Sequence, residues 1–214
     1  MLGQAVLHGS KDESWMTPQA LFDKLNAVAR FDIDLAASRE ASKCGPDFLG
    51  PGSGIAEDAL STGWAALAFN YGRSGLRGFL NPPYSEEARR AGVPGMAIEE
   101  WAQKAWQESI RGFEIWGLFP YATQTAWWRE YVEGHAGLTG WSGHAAMEVW
   151  RLPHRVNFEP TPEMLERFQR EFDEGKRKSP KPSSAGHNVA VIVWRPNPGF
   201  VGPWQPAVRY WSYR

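Results

Sequence analysis

The stretch Gly78-Phe79-Leu80-Asn81-Pro82-Pro83-Tyr84 decides how this chain is read. Gly78-Phe79-Leu80 has the apolar character of a buried strand. The two prolines then stop a ladder or helix from continuing, because proline lacks an N–H and fixes φ. Asn-Pro also punctuates ordinary loops, so a proline-stiffened turn is the plainer reading of the four residues taken alone. At average composition such a tetrapeptide arises by chance in roughly one chain of this length in a few hundred. The flanking sequence therefore has to be weighed with it.

On the amino-terminal side, Thr17-Pro18 predicts a helix start, with Thr17 as N-cap and Pro18 at the first helical position. Leu21, Phe22, Leu25, Val28 and Ala29 recur at helical spacing behind it. Phe31 to Ala37 alternates and reads as a strand with Asp34 near its carboxyl end. Residues 38–63 are irregular, rich in Ser, Gly and Pro, and contain Asp58. On the other side, Ser85 to Met96 is a polar loop, and Ala97 to Ile110 is a helix with the stripe Ile98, Trp101, Ala102, Ala105 and Trp106. Ile115 to Pro120 is a strand, and a helix is expected near Thr125 to Val132. Glu148 to Leu152 and Arg155 to Phe158 read as short strands. Thr161-Pro162 repeats the helix start, with Leu165, Phe168 and Phe172 as the expected inward face. Gly175 to His187 is a basic Ser/Pro-rich loop, Asn188 to Trp194 a strand buried on both faces, and the tail from Pro196 is expected to drape over the core.

Strands alternating with helices predict an α/β fold: a mostly parallel central sheet with helices on both faces. Ligands of such sheets sit at the carboxyl ends of the strands, where this reading places both Asp34 and Asn81. The expected organisation is a loose tail over 1–13 and a single domain over 14–214.

Composition constrains the rest. Charged residues are 22% and hydrophobic residues 43%, as in an ordinary globular protein. Twelve tryptophans are many, and most should be core or groove walls, since each ring must also satisfy an N–H. The single cysteine, Cys44, excludes an internal disulfide framework, and its Lys-Cys-Gly-Pro setting does not suit a thiolate nucleophile. No metal-ligand spacing is present among the five His, and no hydrolase triad has an anchoring motif. Neither a signal peptide nor a long apolar run appears, so a cytoplasmic protein is expected. The net charge of −1 does not advertise nucleic acid. Local basic groups do exist: Arg89-Arg90, the stretch Arg151 to Arg155, and Lys176-Arg177-Lys178. Each is the usual composition of a solvated face as much as of a phosphate contact.

The tetrapeptide suits one chemistry in particular. An exocyclic amine on a purine is a poor nucleophile because its lone pair is delocalised into the ring. Accepting hydrogen bonds from both of its protons localises that pair. Asn81 offers a side-chain carbonyl, Pro82 a backbone carbonyl whose direction the following Pro83 restricts, and Tyr84 a ring on which a base can stack. No strong base is needed, because the proton leaves after attack on an activated methyl group; positioning and electrostatics carry the step. A base within a duplex must be flipped out to reach such a site. Asp34 and Asp58 are candidate acceptors for a cofactor's amino or hydroxyl groups, although Asp is common at strand ends and turns. No Gly-rich fingerprint follows the Asp34 strand.

These residues together resemble the phage-type DNA N6-adenine methyltransferases, Dam-like enzymes of phages and prophages, over roughly Ser14 to Pro196. Ser14 to Gln19 with Leu21-Phe22 looks like the family's opening, and Phe31 to Ala37 like a shortened cofactor motif. Glu57-Asp58-Ala59-Leu60 followed by Trp64 resembles an Asp-Gly-Leu…Trp element, with Ala59 in place of the usual Gly. Phe79 to Ser85 resembles the catalytic motif. Leu118-Phe119-Pro120 with Trp127-Trp128, and His154 to Phe158, resemble later blocks. The resemblance implies a Rossmann-like methyltransferase fold, with S-adenosylmethionine as cofactor and double-stranded DNA as partner, in the host cytoplasm if phage-encoded. By this likeness Trp15, Met16, Thr17, Pro18, Asp34, Ala36, Asp58 and Asn81 contact the cofactor, and Asn81, Pro82, Pro83 and Tyr84 hold the adenine. DNA contacts are expected from Arg89, Arg90, Arg155, Lys176, Arg177 and Lys178, and target recognition from 85–96 and 134–187. Protection from host restriction is a purpose implied by the resemblance alone. The alternatives are a glutamine-amide (N5) protein methyltransferase, an N4-cytosine DNA methyltransferase, and an inactive DNA-binding or host-interaction protein on the same scaffold.

Overall fold

The structure, a computed structural model, describes residues 15–72, 74–85, 89–90, 92–135, 144–180, 186–196 and 206–211. The expected tail over 1–13 lies outside the described residues. A six-stranded sheet runs through the molecule in the order β1 (Ile33–Asp34), β2 (Arg77–Leu80), β3 (Glu114–Pro120), β7 (Val189–Trp194), β4 (Glu148–Arg151) and β8 (Ala207–Tyr210). A separate ribbon pairs β5 (Val156–Asn157) with β6 (Gly186–His187). The helices are α1 (Gln19–Ala29), the short α2 (Leu67–Asn70), α3 (Ile98–Ile110) and α4 (Pro162–Asp173), with a π-helical segment at Trp128–Val132.

The expected α/β class stands, and the sheet is mixed: five of its six strands run the same way and β7 alone runs against them. β1, β2 and β3 pair in parallel, as do β4 and β8, while β7 runs antiparallel to both of its neighbours. Strand direction leaves no mark on composition, so Val189–Trp194, buried throughout, looks the same either way.

Alternation along the strands divides the core into two layers. Phe79, Trp116, Leu118, Trp150, Val191 and Val193 face α1, through Leu21, Phe22 and Leu25. Leu80, Ile115, Phe119, Val149, Ile192 and Trp194 face α3, through Trp101, Ala102 and Ala105. Helices thus cover both faces. The tryptophans supply much of this core and satisfy their N–H groups locally. Trp116 and Trp150 donate to Glu114 and Glu148, each two residues earlier on its own strand, and Trp194 donates to the Tyr131 carbonyl.

The two Thr-Pro helix starts diverge. Thr161 caps α4 as expected, its hydroxyl accepting from the Met164 N–H at 3.3 Å, with Pro162 opening the helix. At α1 the cap position belongs to Pro18, whose carbonyl accepts from Leu21 and Phe22. Thr17 lies one residue outside the helix and buries its hydroxyl instead. The reason is the neighbouring residue: Met16 exchanges two backbone hydrogen bonds with Glu159, holding this segment extended. On α4 the buried residues are Met164 and Phe168, whereas Leu165 and Phe172 of the expected inward face are exposed. The tail does not merely drape: Ala207–Tyr210 adds an edge strand, and Trp211 packs on Trp150.

Candidate functional site

At the carboxyl ends of β1 and β2 the sheet opens into a cleft of about 1400 Å³. Its walls are the segment Trp15–Thr17, the loop after β1 (Asp34 to Lys43), the stretch Leu49–Ser61, the segment Asn81–Ser85, and one side of α3. Of the residues expected at the site, Trp15, Met16, Thr17, Asp34, Ala36, Asp58, Asn81, Pro82, Pro83 and Tyr84 all line it. Pro18 does not; it is spent on capping α1.

Asn81 sits where β2 ends. Its amide Nδ2–H donates to the Trp15 carbonyl at 2.9 Å, which ties the amino-terminal segment to the tetrapeptide across 66 residues. With the amide so fixed, Oδ1 points away from Trp15, and among the described residues no donor reaches it. Nor does any described backbone N–H bond the Pro82 carbonyl. Tyr84 is half-buried, and desolvation pushes its phenol up to about 12, so the ring is neutral at any working pH. Ser85 N–H bonds the Met96 carbonyl at 3.2 Å, pinching the 85–96 loop closed beside the tetrapeptide. The Trp101 indole fixes the loop's far end by donating to the Gly95 carbonyl at 2.8 Å.

Asp34 is buried, and its two oxygens accept backbone hydrogen bonds from Lys43 (3.0 Å) and Ala36 (3.4 Å), folding the loop between them. Desolvation raises its carboxyl to about 6 against the opposing pull of those two N–H groups and the Lys43 charge. Asp58 is exposed on the opposite wall, where Oδ1 accepts from the Leu60 N–H at 2.9 Å. Ala59, standing where a glycine was expected, has ordinary negative φ, so this turn does not need glycine. The Trp64 indole holds its carbonyl at 2.8 Å. Ala65 N–H in turn bonds Glu108 of α3, a buried carboxylate. Burial pushes that carboxyl upward, but Lys104, the Ala65 N–H and Arg111 outweigh it and hold the group below its ordinary value.

Two buried polar atoms on the cleft wall have no partner among the described residues: Trp15 Nε1 and Thr17 Oγ1. Sequence reasoning missed the α3 wall, with Gln103, Lys104 and Gln107, as well as Lys43, Glu57 and Gly50. The available signal was the polar flank of α3, four residues apart at Gln103 and Gln107, beside a stripe read purely as core.

The basic residues expected to meet DNA are dispersed. Arg89 and Arg90 are exposed on the loop that borders the cleft, and Arg155 is exposed at the start of β5. Lys176 pairs with Glu174 at 2.7 Å. Arg177 pairs with Glu171 and stacks 4.0 Å from the Phe168 ring centroid. Both are thus engaged within their own α4 region, and Lys178 is exposed. Parts of the expected recognition segments, 86–88, 91, 136–143 and 181–185, lie outside the described residues. Among the described residues, no group of three or more His, Cys, Asp or Glu is placed to hold a metal, and no helix is long and apolar enough to cross a membrane.

A cleft at the strand ends of an α/β sheet, lined here by Asn-Pro-Pro-Tyr and by buried and exposed carboxylates, is where folds of this class bind small molecules. The family model for DNA N-6-adenine-methyltransferase (Dam) matches residues 4–139, more than half of the chain, and the chain belongs to that family. No curated protein matches the chain, and no solved structure does.

Proposed function

We propose that this chain transfers a methyl group from S-adenosylmethionine to the N6 amine of adenine in double-stranded DNA, with the base turned out of the duplex into the cleft. The observation that carries this reading is the bond from Asn81 Nδ2 to the Trp15 carbonyl. It commits the donor end of the amide to the protein and leaves the acceptor end for substrate. An adenine amine needs just such acceptors. Asn81 Oδ1 takes one N–H, and the Pro82 carbonyl, restricted by Pro83, takes the other. Drawing both protons out of the ring plane localises the nitrogen lone pair for attack. Tyr84 stacks on the base, worth about 1–3 kcal/mol. As the new N–C bond forms, the nitrogen gives its surplus proton to water, so the site requires no strong base.

The cleft chemistry fits the cofactor. Asp34 and Asp58 accept from amino and hydroxyl groups, and Trp15 Nε1 and Thr17 Oγ1 are buried donors lacking partners. The volume admits a nucleoside cofactor and a base together. When bound, S-adenosylmethionine supplies a methyl group activated by its sulfonium centre. Positioning the amine against it is the contribution of this chain's residues.

The test is incubation with labelled methyl donor and unmodified duplex DNA, followed by digestion to nucleosides. Label should appear in N6-methyladenine, and Asn81→Ala should lower turnover about a hundredfold or more while folding normally. Label in N4-methylcytosine, or in protein glutamine, would replace the adenine assignment; unchanged turnover in Asn81→Ala would remove the role given to Asn81.

A further inference from the structure

Several of the described arginines pair with carboxylates. Arg77 pairs with Glu114, Arg111 with Glu108, Arg177 with Glu171, and Arg195 and Arg209 both with Glu148. Arg151 differs. Among the described residues no carboxylate reaches it, although it is partly buried. Its guanidinium lies between two tyrosines, 4.9 Å from the Tyr121 ring centroid and 5.6 Å from that of Tyr210. One nitrogen donates to the Tyr210 hydroxyl at 3.0 Å, and Nε is buried without a partner. Tyr121 in turn packs on Trp128, the ring centroids 5.3 Å apart and the planes nearly perpendicular. Tyr210, at 79% exposure, is the open end of the stack. A guanidinium has five N–H donors in a planar fork, so this one is rigidly held, flat and short of acceptors.

Its position follows from the register. Phe119, Ala190, Arg151 and Tyr210 form one row across β3, β7, β4 and β8. Leu80 is level with Gly117, so Asn81 lies about one residue short of that row, at the same edge of the sheet. Three strand spacings separate β2 from β4, which places Arg151 about 14 Å from Asn81 across the sheet. Along one DNA strand that distance is about four base steps.

We propose that Arg151, braced between Tyr121 and Tyr210, is a phosphate-binding anchor for the duplex whose adenine enters the cleft. The proposal rests on the reading of the cleft given above and adds a contact outside it. A phosphate at the Nη end supplies acceptors for the guanidinium donors there, while Nε stays buried. The tyrosines fix the fork in advance, so little side-chain entropy is lost on binding.

Fluorescence anisotropy with a labelled 30-base-pair unmodified duplex, run over a salt series, tests this, with calorimetry of S-adenosylmethionine binding in parallel. Arg151→Gln should weaken DNA binding about tenfold and reduce the slope of log affinity against log salt by about one, with cofactor affinity unchanged. Arg151→Lys should keep the slope. Tyr210→Ala, a change at an exposed ring, should lose several-fold in affinity with the slope intact. If the unaltered protein binds DNA while Arg151→Gln binds with the same affinity and slope, the anchor is refuted and the cleft reading survives. Should Arg151→Gln fail to fold by circular dichroism, Tyr210→Ala decides, and wild-type affinity there refutes the anchor. A matching loss of cofactor binding in Arg151→Gln would place the residue in the cofactor's service and overturn the proposal. Absence of salt-dependent DNA binding by the unaltered protein would overturn both readings.

Discussion

Burial of Asp34 makes the stability of this protein depend on pH in the direction opposite to that of a salt-bridged carboxylate. Its carboxyl ionises near 3.8 in the unfolded chain and near 6 when folded, because desolvation outweighs the Lys43 and Ala36 N–H groups and the Lys43 charge. Between those values the folded state keeps a proton that the unfolded state has lost. This group's contribution to stability therefore falls as pH rises from about 4 to about 6, and the full cost, about 3 kcal/mol, is present by pH 7. Asp34→Asn cannot ionise and escapes that cost. It gives up one acceptor oxygen, most easily the 3.4 Å bond to Ala36, at about 1 kcal/mol at every pH. The variant should thus be about 1 kcal/mol less stable than its parent below pH 4 and about 2 kcal/mol more stable at pH 7. Urea unfolding followed by tryptophan fluorescence at half-unit pH steps measures this, with the difference between the two proteins cancelling the other carboxylates. Two parallel stability curves from pH 4 to 7 would refute the reasoning. A cation bound beside Asp34 would draw its carboxyl back down. Cofactor affinity should accordingly tighten as pH rises through about 6, and Asp34→Asn should lose that dependence.

Tyr84→Ala should raise KM for DNA about tenfold, while Tyr84→Phe stays close to the parent, since stacking uses the ring; steady-state kinetics showing equal damage from both would assign a role to the hydroxyl. Gly50→Ala should destabilise by about 2 kcal/mol or more in thermal unfolding, because a Cβ there would lie 2.1 Å from the Ala37 carbonyl oxygen at a φ of +139°. Cys44 should resist iodoacetamide at pH 8, because burial, with Asp34 and Asp47 nearby, pushes its thiol up to about 12; rapid alkylation of the folded protein, followed by mass spectrometry, would contradict this.

Period and punctuation made much of this legible in the sequence. The apolar run from Ile115 to Pro120 and the helical spacing in α1 and α3 marked real elements, because the strand is buried from Ile115 to Phe119 and each helix buries one face. Properties set by what lies opposite were not legible. Leu165 and Phe172 have the right spacing for a buried stripe, yet the residues that α4 buries are Met164 and Phe168. Strand β8 is exposed on both faces, so Ala207–Tyr210 carries no alternating signal. Thr17-Pro18 and Thr161-Pro162 are the same dipeptide, and a bridge to Glu159 makes one of them behave differently. At the site, Asn81 and Asp34 announced themselves by chemistry at strand ends. The α3 wall did not, because Gln103, Lys104 and Gln107 are what any solvated helix face would show.

The bridge between Met16 and Glu159 also bears on how the molecule is made. One wall of the cleft is stitched to a residue 143 positions later, and β7, emerging still later from the ribosome, must slot between β3 and β4. During synthesis the first half of the chain can form its parallel strands but not a finished cleft, and β3 waits with an unsatisfied edge. A nascent chain halted before Val189 would hold every residue that lines the cleft, yet β3 would lack its β7 neighbour and the sheet would end at three strands on that side.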